Sequence, residues 1–477
     1  MSKENNCSHP VLDWMATEEY KDKNFAREAL VINPPRACQP YGAMLCALGI
    51  EGCLPFVHGS QGCAAYFRAC LTRHLREPVP LVSDSMTEDS AVFGGQANLI
   101  EGLRNSYATY KPSIIAMFSS CMAEVIGDDM KGFIGNARLQ EAIPEDFPIA
   151  YANTPSFVGT HITGFDNMLK GLLQSLADPR HGKWTNGRLY VVPGFDLYPA
   201  NLREYRRMVT AMGIYMTMLP DATEAMDSPN TGEYKMYQPG TPMSELADAL
   251  NASGFIFMQK YSTIITQKYV KNVAKITSEA VTMPIGVKNT DAFLMALQKM
   301  TGKAIPTELE AERGRAVDAA TDAHQYIHGK RFALYGDPDL LIGLVGFLLE
   351  MGGIPVHILC SNGTEPFRKE MEALLATSPF GTEGKVYSGK VDLWHLRSLL
   401  LTDPVDMLIG DSHGKRLAKD AKIPLARIGY FLADRVHMHR QPIVGYQGAI
   451  NLITMIANIF IDEYDRNCPE ERFEVLR

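Results

Sequence analysis

Residues 113–134 read SIIAMFSSCMAEVIGDDMKGFI. A short apolar run passes through Ser119-Ser120-Cys121 into a stretch that reads as one amphipathic helix, MAEVIGDDMKGFI. Short apolar runs that turn through small residues into helices belong to strands buried on both faces of a parallel sheet. The unit recurs along the chain. Residues 148–151 lead through ANTPSFVGTH into a helix whose core face carries Ile162, Phe165, Met168, Leu169, Leu172, Leu173 and Leu176 at helical spacing. After the polar stretch DPRHGKWTNG, residues 188–192 (RLYVV) meet Pro193-Gly194-Phe195 and a helix predicted to end at Gly213. Residues 331–335 (RFALY) lead through Gly336-Asp337-Pro338 into a helix ending near Gly352-Gly353, followed by a strand over 355–360. This alternation predicts an α/β chain of three doubly wound, Rossmann-like parallel-sheet domains. We place them at 1–185, 186–328 and 329–430, with 430–477 returning to the first. Ligands of such sheets bind in the loops at the carboxyl ends of strands, where Cys121 and Ser156 lie.

The 477 residues are too many for one ordinary core and agree with three domains. Hydrophobic residues at 46% and charged residues at 21% give a globular balance. A net charge of −8 argues against a nucleic-acid partner, which needs clustered Lys and Arg to displace counterions. The start of the chain carries no basic stretch followed by an apolar core, and no apolar run approaches the roughly 20 residues of a membrane span. A soluble, cytoplasmic protein is therefore expected.

Nine cysteines stand at 7, 38, 46, 53, 63, 70, 121, 360 and 468. An odd number in a reducing compartment disfavours a disulfide framework, and the absence of C-x-x-C disfavours zinc ribbons and ferredoxin-like loops. Cys46 and Cys70 read as helix-face positions and Cys360 as the end of a strand, all three structural. Cys53 is ambiguous, and Cys7 and Cys468 lie near the termini. Cys38, Cys63 and Cys121 differ, because each sits in a loop punctuated by glycine, proline or small residues, where backbone approaches a bulky group without Cβ clashes. On the residues alone, ordinary buried loop thiols are the plainer reading of this trio. Against it stands the repetition: three loops carry one cysteine each beside backbone suited to close approach.

The runs CQPYGAMLCALGIEGCLPFVHGSQGCAAYFR, REPVPLVSDSMTEDSAVFGGQ, CMAEVIGDDM, NTPSFVGTHITGFDN, HGKRFALYGDPD and DLWHLRSLLLTD resemble, in order and spacing, the β chains of molybdenum-type nitrogenases. The resemblance extends from about Glu18 to about Ala449. It implies a subunit of an α2β2 heterotetramer that reduces dinitrogen to ammonia with ATP-driven electrons from a transiently bound iron protein. It further implies a P-cluster (8Fe–7S) shared with the α chain, with Cys38 and Cys121 as terminal iron ligands and Cys63 as a bridge. Ser156 matches a serine that ligates iron in the oxidised cluster; otherwise it is a loop hydroxyl or a helix cap. Thiolates suit soft iron–sulfur cores, and a harder alkoxide suits oxidised iron. No cysteine lies between Cys121 and Cys360, where the α chain holds its molybdenum cofactor, so none is expected here. The segment 410–415 is no phosphate loop, so nucleotide hydrolysis is expected to belong to the iron protein. No side chain is assigned an acid–base role.

Asp318 and Asp322 share a face if their segment is helical, ordinarily a solvated acidic face. The resemblance pairs them with the Arg76 carbonyl and Glu77 of a second β chain around calcium, magnesium or ferrous iron. His324 and His328 read as surface or packing residues, His58 as a hydrogen bonder that orders its loop, and Tyr66 and Phe67 as apolar packing beside Cys63. Phe93 is either part of the iron-protein docking surface or a core side chain before a glycine turn. Three rivals stand beside the main reading. One is a non-catalytic scaffold for cofactor assembly, and another is a β chain of a vanadium or iron-only nitrogenase. The third is a structural protein with ordinary buried thiols. Two departures from the family pattern are a short stretch ahead of Glu18, which predicts reduced wrapping of the α subunit, and residues 430–435.

Overall fold

The computed structural model describes residues 11–29, 36–178, 185–381 and 383–473. Its strands form three sheets, all parallel. The first contains β1 (Cys53–His58), β2 (Val82–Ser83), β3 (Ile114–Ser119) and β4 (Ile149–Ala152) in the order β2-β1-β3-β4. The second contains β5 (Leu189–Val192), β6 (Met216–Met218), β7 (Gly254–Phe257) and β8 (Ser278–Ala280) in the order β6-β5-β7-β8. The third contains β9 (Arg331–Tyr335), β10 (Ile354–Cys360), β11 (Lys385–Ser388), β12 (Met407–Gly410) and β13 (Leu425–Arg427) in the order β11-β10-β9-β12-β13. Each order reverses direction beside its first strand, which defines doubly wound α/β sheets. The central strands β1, β3, β5 and β7 are buried at every position, as their continuous apolar runs predicted.

In the first sheet β3 lies between β1 and β4, with Val57 opposite Phe118 and Phe118 opposite Ala152. The carboxyl ends of these strands are therefore level, and the loops leaving them open on one side. The helix Gln39–Leu48, buried at all ten positions, packs on the helix His161–Leu176. Glycine sets that approach: a Cβ on Gly42 would stand 1.7 Å from the His161 carbonyl oxygen, and one on Gly164 1.8 Å from that of Gln39.

Two elements differ from the sequence reading. Residues 121–134 are not one helix: Cys121–Ile126 ends at Gly127, which takes a left-handed φ of 78°, and Met130–Leu139 starts afresh under an Asp129 cap. The amides of Gly127 and Asp128 both return to the Ala123 carbonyl, which closes the first helix. The helix Gly445–Asn467, assigned above to the first domain, lies instead along Thr307–Ile327 and Gly286–Thr301, where it buries Ala449, Leu452, Ile453 and Ile456. Residues just before it do touch the first sheet's helices, with the Leu432 amide donating to His74 Nδ1 at 3.0 Å.

Candidate metal-cluster site

The three loop cysteines all occupy helix N-termini. Cys38 is the N-cap of Gln39–Leu48, Cys63 lies in the first turn of Gln61–Leu75 after β1, and Cys121 opens Cys121–Ile126 after β3. The Gly59–Ser60 turn and the Ser119–Ser120 turn leave adjacent strands at the point where the sheet order reverses, which is where doubly wound sheets form their binding crevice. Ser156 follows β4 in the neighbouring loop. A negatively charged group at a helix N-terminus is favoured by about 0.3–1 kcal/mol through the unpaired amides there.

Geometry joins these four residues. The Gln39 amide donates to Ser156 Oγ at 3.2 Å, which fastens the Cys38 turn to the loop after β4. Burial raises the Cys38 thiol pKa, a hydrogen bond with Ser156 draws it down, and the neighbouring Cys121 and Cys63 thiols raise it again. Cys38 is thus within electrostatic reach of both other thiols. Ser60 Oγ lies 3.5 Å from Cys63 Sγ as its donor. Behind them, Thr154 donates through its amide to Ser119 Oγ (2.8 Å) and through its hydroxyl to the Ser119 carbonyl (2.5 Å). Asn153 donates to Glu124 at 2.9 Å, a further tie between the loops after β3 and β4.

Cys38 and Cys121 are exposed and Cys63 is half-buried, whereas Cys46, Cys53 and Cys360 are buried. The trio therefore faces outward, unlike thiols that merely fill a core. Cys70 is half-buried rather than enclosed, and Cys7 lies outside the described residues. Apolar side chains share this exposure: Tyr66 is 64% exposed, Phe157 61% and Val158 69%. Phe67, one of the two side chains expected to pack beside Cys63, is buried, and Tyr66, the other, is exposed. An apolar rim around outward-facing thiols is the mark of a surface that is covered in the working molecule.

Among the described residues, no three His, Cys, Asp or Glu side chains converge closely enough to hold a single ion. The thiols, spread over three loops, suit a polynuclear core of sulfur-bridged iron better than one metal, and an all-sulfur set with one hydroxyl suits its chemistry.

The remaining candidates lie elsewhere. Asp318 and Asp322 are both exposed on Thr307–Ile327. Arg76 ends Gln61–Leu75 in a left-handed conformation, and Glu77 beside it stands 3.8 Å from Arg440. Burial pushes the Glu77 carboxyl up, opposed by Arg440. The His324 and His328 rings lie 4.6 Å apart between centroids, tilted by 45°, and both side chains are exposed. Phe93 is 86% exposed before Gly94, whose φ is 87°, so the glycine turn exists and the core role does not. His58 hydrogen-bonds Asp84 and Asp128, as its loop-ordering role required. The two aspartates were missed, because nothing local distinguishes them from other acidic loop residues.

Residues 38–461 match the family model for nitrogenase component 1 type oxidoreductases, a span that starts at the first candidate cysteine. The chain belongs to the nitrogenase component 1 family. Curated relatives named nitrogenase molybdenum-iron protein beta chain include one from a Nostoc species, 55% identical over 96% of this chain and 89% of its own length. The one from Azotobacter vinelandii is 48% identical over 95% of this chain and 89% of its own length. A solved chain titled "Nitrogenase Cp1 at pH 6.5" superposes with a TM-score of 0.91 at 40% identity, covering 94% of this chain and 98% of that one. Nitrogenase oxidoreductase chemistry and the three-sheet fold thus stand together. No helix of the described residues is long and apolar enough to cross a membrane.

Proposed function

We propose that this chain is the β subunit of a nitrogenase molybdenum–iron protein, an α2β2 heterotetramer that reduces dinitrogen to ammonia with ATP-coupled electrons from an iron protein. The observation that carries the reading is the outward-facing trio Cys38, Cys63 and Cys121, joined to Ser156 and rimmed by exposed apolar side chains. Three thiols cannot complete the ligand set of an 8Fe–7S P-cluster, so the α chain supplies the rest. When bound, that cluster would relay electrons from the iron protein to the cofactor in the α chain.

The chain's own residues hold, orient and insulate. Cys38, Cys63 and Cys121 would hold the cluster through their thiolates, and Ser156 would add a hard oxygen donor suited to its oxidised state. The helix N-termini stabilise the thiolates, and Tyr66, Phe157 and Val158 exclude water once the α chain covers them. Phe93 belongs to the surface on which the iron protein docks. Asp318 and Asp322, with the Arg76 carbonyl and Glu77 of a second β chain, hold a divalent cation between β subunits. No molybdenum cofactor belongs to this chain.

The test is iron and acid-labile sulfide on the complex isolated with its α chain. Eight irons per αβ interface supports the reading; a four-iron cluster favours an assembly scaffold, and a metal-free but active complex refutes both.

A further inference from the structure

His58 is fully buried, and both of its ring nitrogens face carboxylates: Nδ1 meets Asp84, and Nε2 lies 3.0 Å from Asp128. An imidazole that meets an ionised carboxylate at each nitrogen donates from both, as an imidazolium. Burial alone would lower its pKa; the hydrogen bonds and charges of Asp84 and Asp128 outweigh that and raise it. The outer oxygens are used as well. Asp84 accepts from the Gly59 amide through Oδ1 at 2.9 Å, and Asp128 accepts from the Gly95 amide through its outer Oδ1 at 3.3 Å and through Oδ2, which also faces His58, at 3.0 Å.

Each partner belongs to a different segment. His58 ends β1 and leads into the Cys63 turn, while its carbonyl accepts from the Ser120 amide at 2.9 Å, one residue before Cys121. Asp84 follows β2. Asp128 follows the short Cys121–Ile126 helix and holds the turn that displays Phe93. The fit at that turn is tight: a Cβ on Gly95 would stand 2.5 Å from Asp128 Oδ2 and 2.7 Å from His58 Cε1. The Phe93 turn has its own tie to this charged core, whereas an ordinary surface loop would rest on backbone contacts alone.

We propose that His58, clamped between Asp84 and Asp128, is a positioning residue that joins the exposed Phe93 turn and the loops of Cys63 and Cys121 into one rigid body, so that contact at Phe93 is transmitted to the thiol-bearing loops. This rests on the reading of Phe93 as a docking surface and of the cysteines as cluster ligands. A buried charge trio suits such a linkage, because removing one member strands the others and does not relax smoothly.

The test is amide hydrogen exchange on the purified αβ complex, free and with the iron protein locked on by a non-hydrolysable nucleotide. In the wild type, docking slows exchange at 93–98, and by about threefold or more at 59–64 and 121–128. In Asp128→Asn the slowing at 93–98 persists and the slowing at 59–64 disappears, with iron content unchanged. Asp128→Asn protection matching the wild type overturns the proposal. So does a wild-type complex whose 59–64 amides ignore docking, a result that needs no variant. Should Asp128→Asn not assemble, His58→Gln, whose amide reaches one carboxylate only, serves in its place. Iron missing from the wild type defeats the functional reading; iron present with uncoupled loops defeats this inference alone.

Discussion

Among the described residues, side-chain exposure sets Cys38, Cys63 and Cys121 apart from the buried Cys46, Cys53 and Cys360. Cys63 and Cys360 both follow apolar strand runs in the sequence, yet one faces outward in a helix-terminal turn and the other is sealed at the end of β10. Cys63→Ala is therefore expected to lose the interface iron and the activity together, and Cys360→Ala to keep the full iron complement. Equal losses by metal analysis would remove the distinction. Ser156 sits close enough to Cys38 to share its hydrogen bond, so Ser156→Ala should preserve the reduced cluster and change its spectrum only after oxidation. An unchanged oxidised spectrum would strike it from the ligand set. The glycine-, proline- and serine-punctuated loops made these residues visible in sequence. Asp84 and Asp128 stayed invisible, because what singles them out is a histidine that is distant along the chain.

Among the elements, strands were legible because burial on both faces leaves an unbroken apolar run. The break at Gly127 was not, since apolar side chains continue at helical spacing on both sides of it and only the left-handed φ ends the helix. The destination of Gly445–Asn467 was equally hidden: an apolar stripe announces that a helix packs, never on what. The crossing of Gln39–Leu48 with His161–Leu176 is where sequence and site meet, because the first carries Cys38 at its cap and the second follows the Ser156 loop. Gly164→Ala forces the two backbones apart against a buried interface, and overpacking of this kind costs about 1–3 kcal/mol. We expect a lower denaturation midpoint together with reduced iron, the second because the Gln39–Ser156 bond is stretched. Normal iron at reduced stability would uncouple the crossing from the site.

Across the whole molecule, two buried carboxylates stitch the sheets together through the segment after β7. Asp166, from the first region, accepts from the Ile265 and Thr266 amides at 2.6 and 2.8 Å. Asp339, from the third, accepts from the Tyr261 and Ser262 amides, both at 3.0 Å. Burial, only partly offset by these bonds, pushes each carboxyl up to about 6. Because the unfolded value is about 4, the folded state binds more protons between these limits, and the stability the neutral forms confer is lost as pH rises through about 6. Relative to a variant carrying Asp166→Asn and Asp339→Asn, the wild-type melting temperature should therefore fall from pH 4.5 to 7. A gap that stays constant with pH would show that neither carboxyl titrates there. The order β2-β1-β3-β4 carries one more consequence, for biosynthesis. Cys38 leaves the ribosome long before the loop after β4, and the Gln39–Ser156 bond that fastens its turn forms only when that last strand has joined the sheet. On the proposed reading, iron delivered to a nascent chain would meet Cys38 without the loop that holds its turn, so loading of metal would follow completion of the N-terminal region.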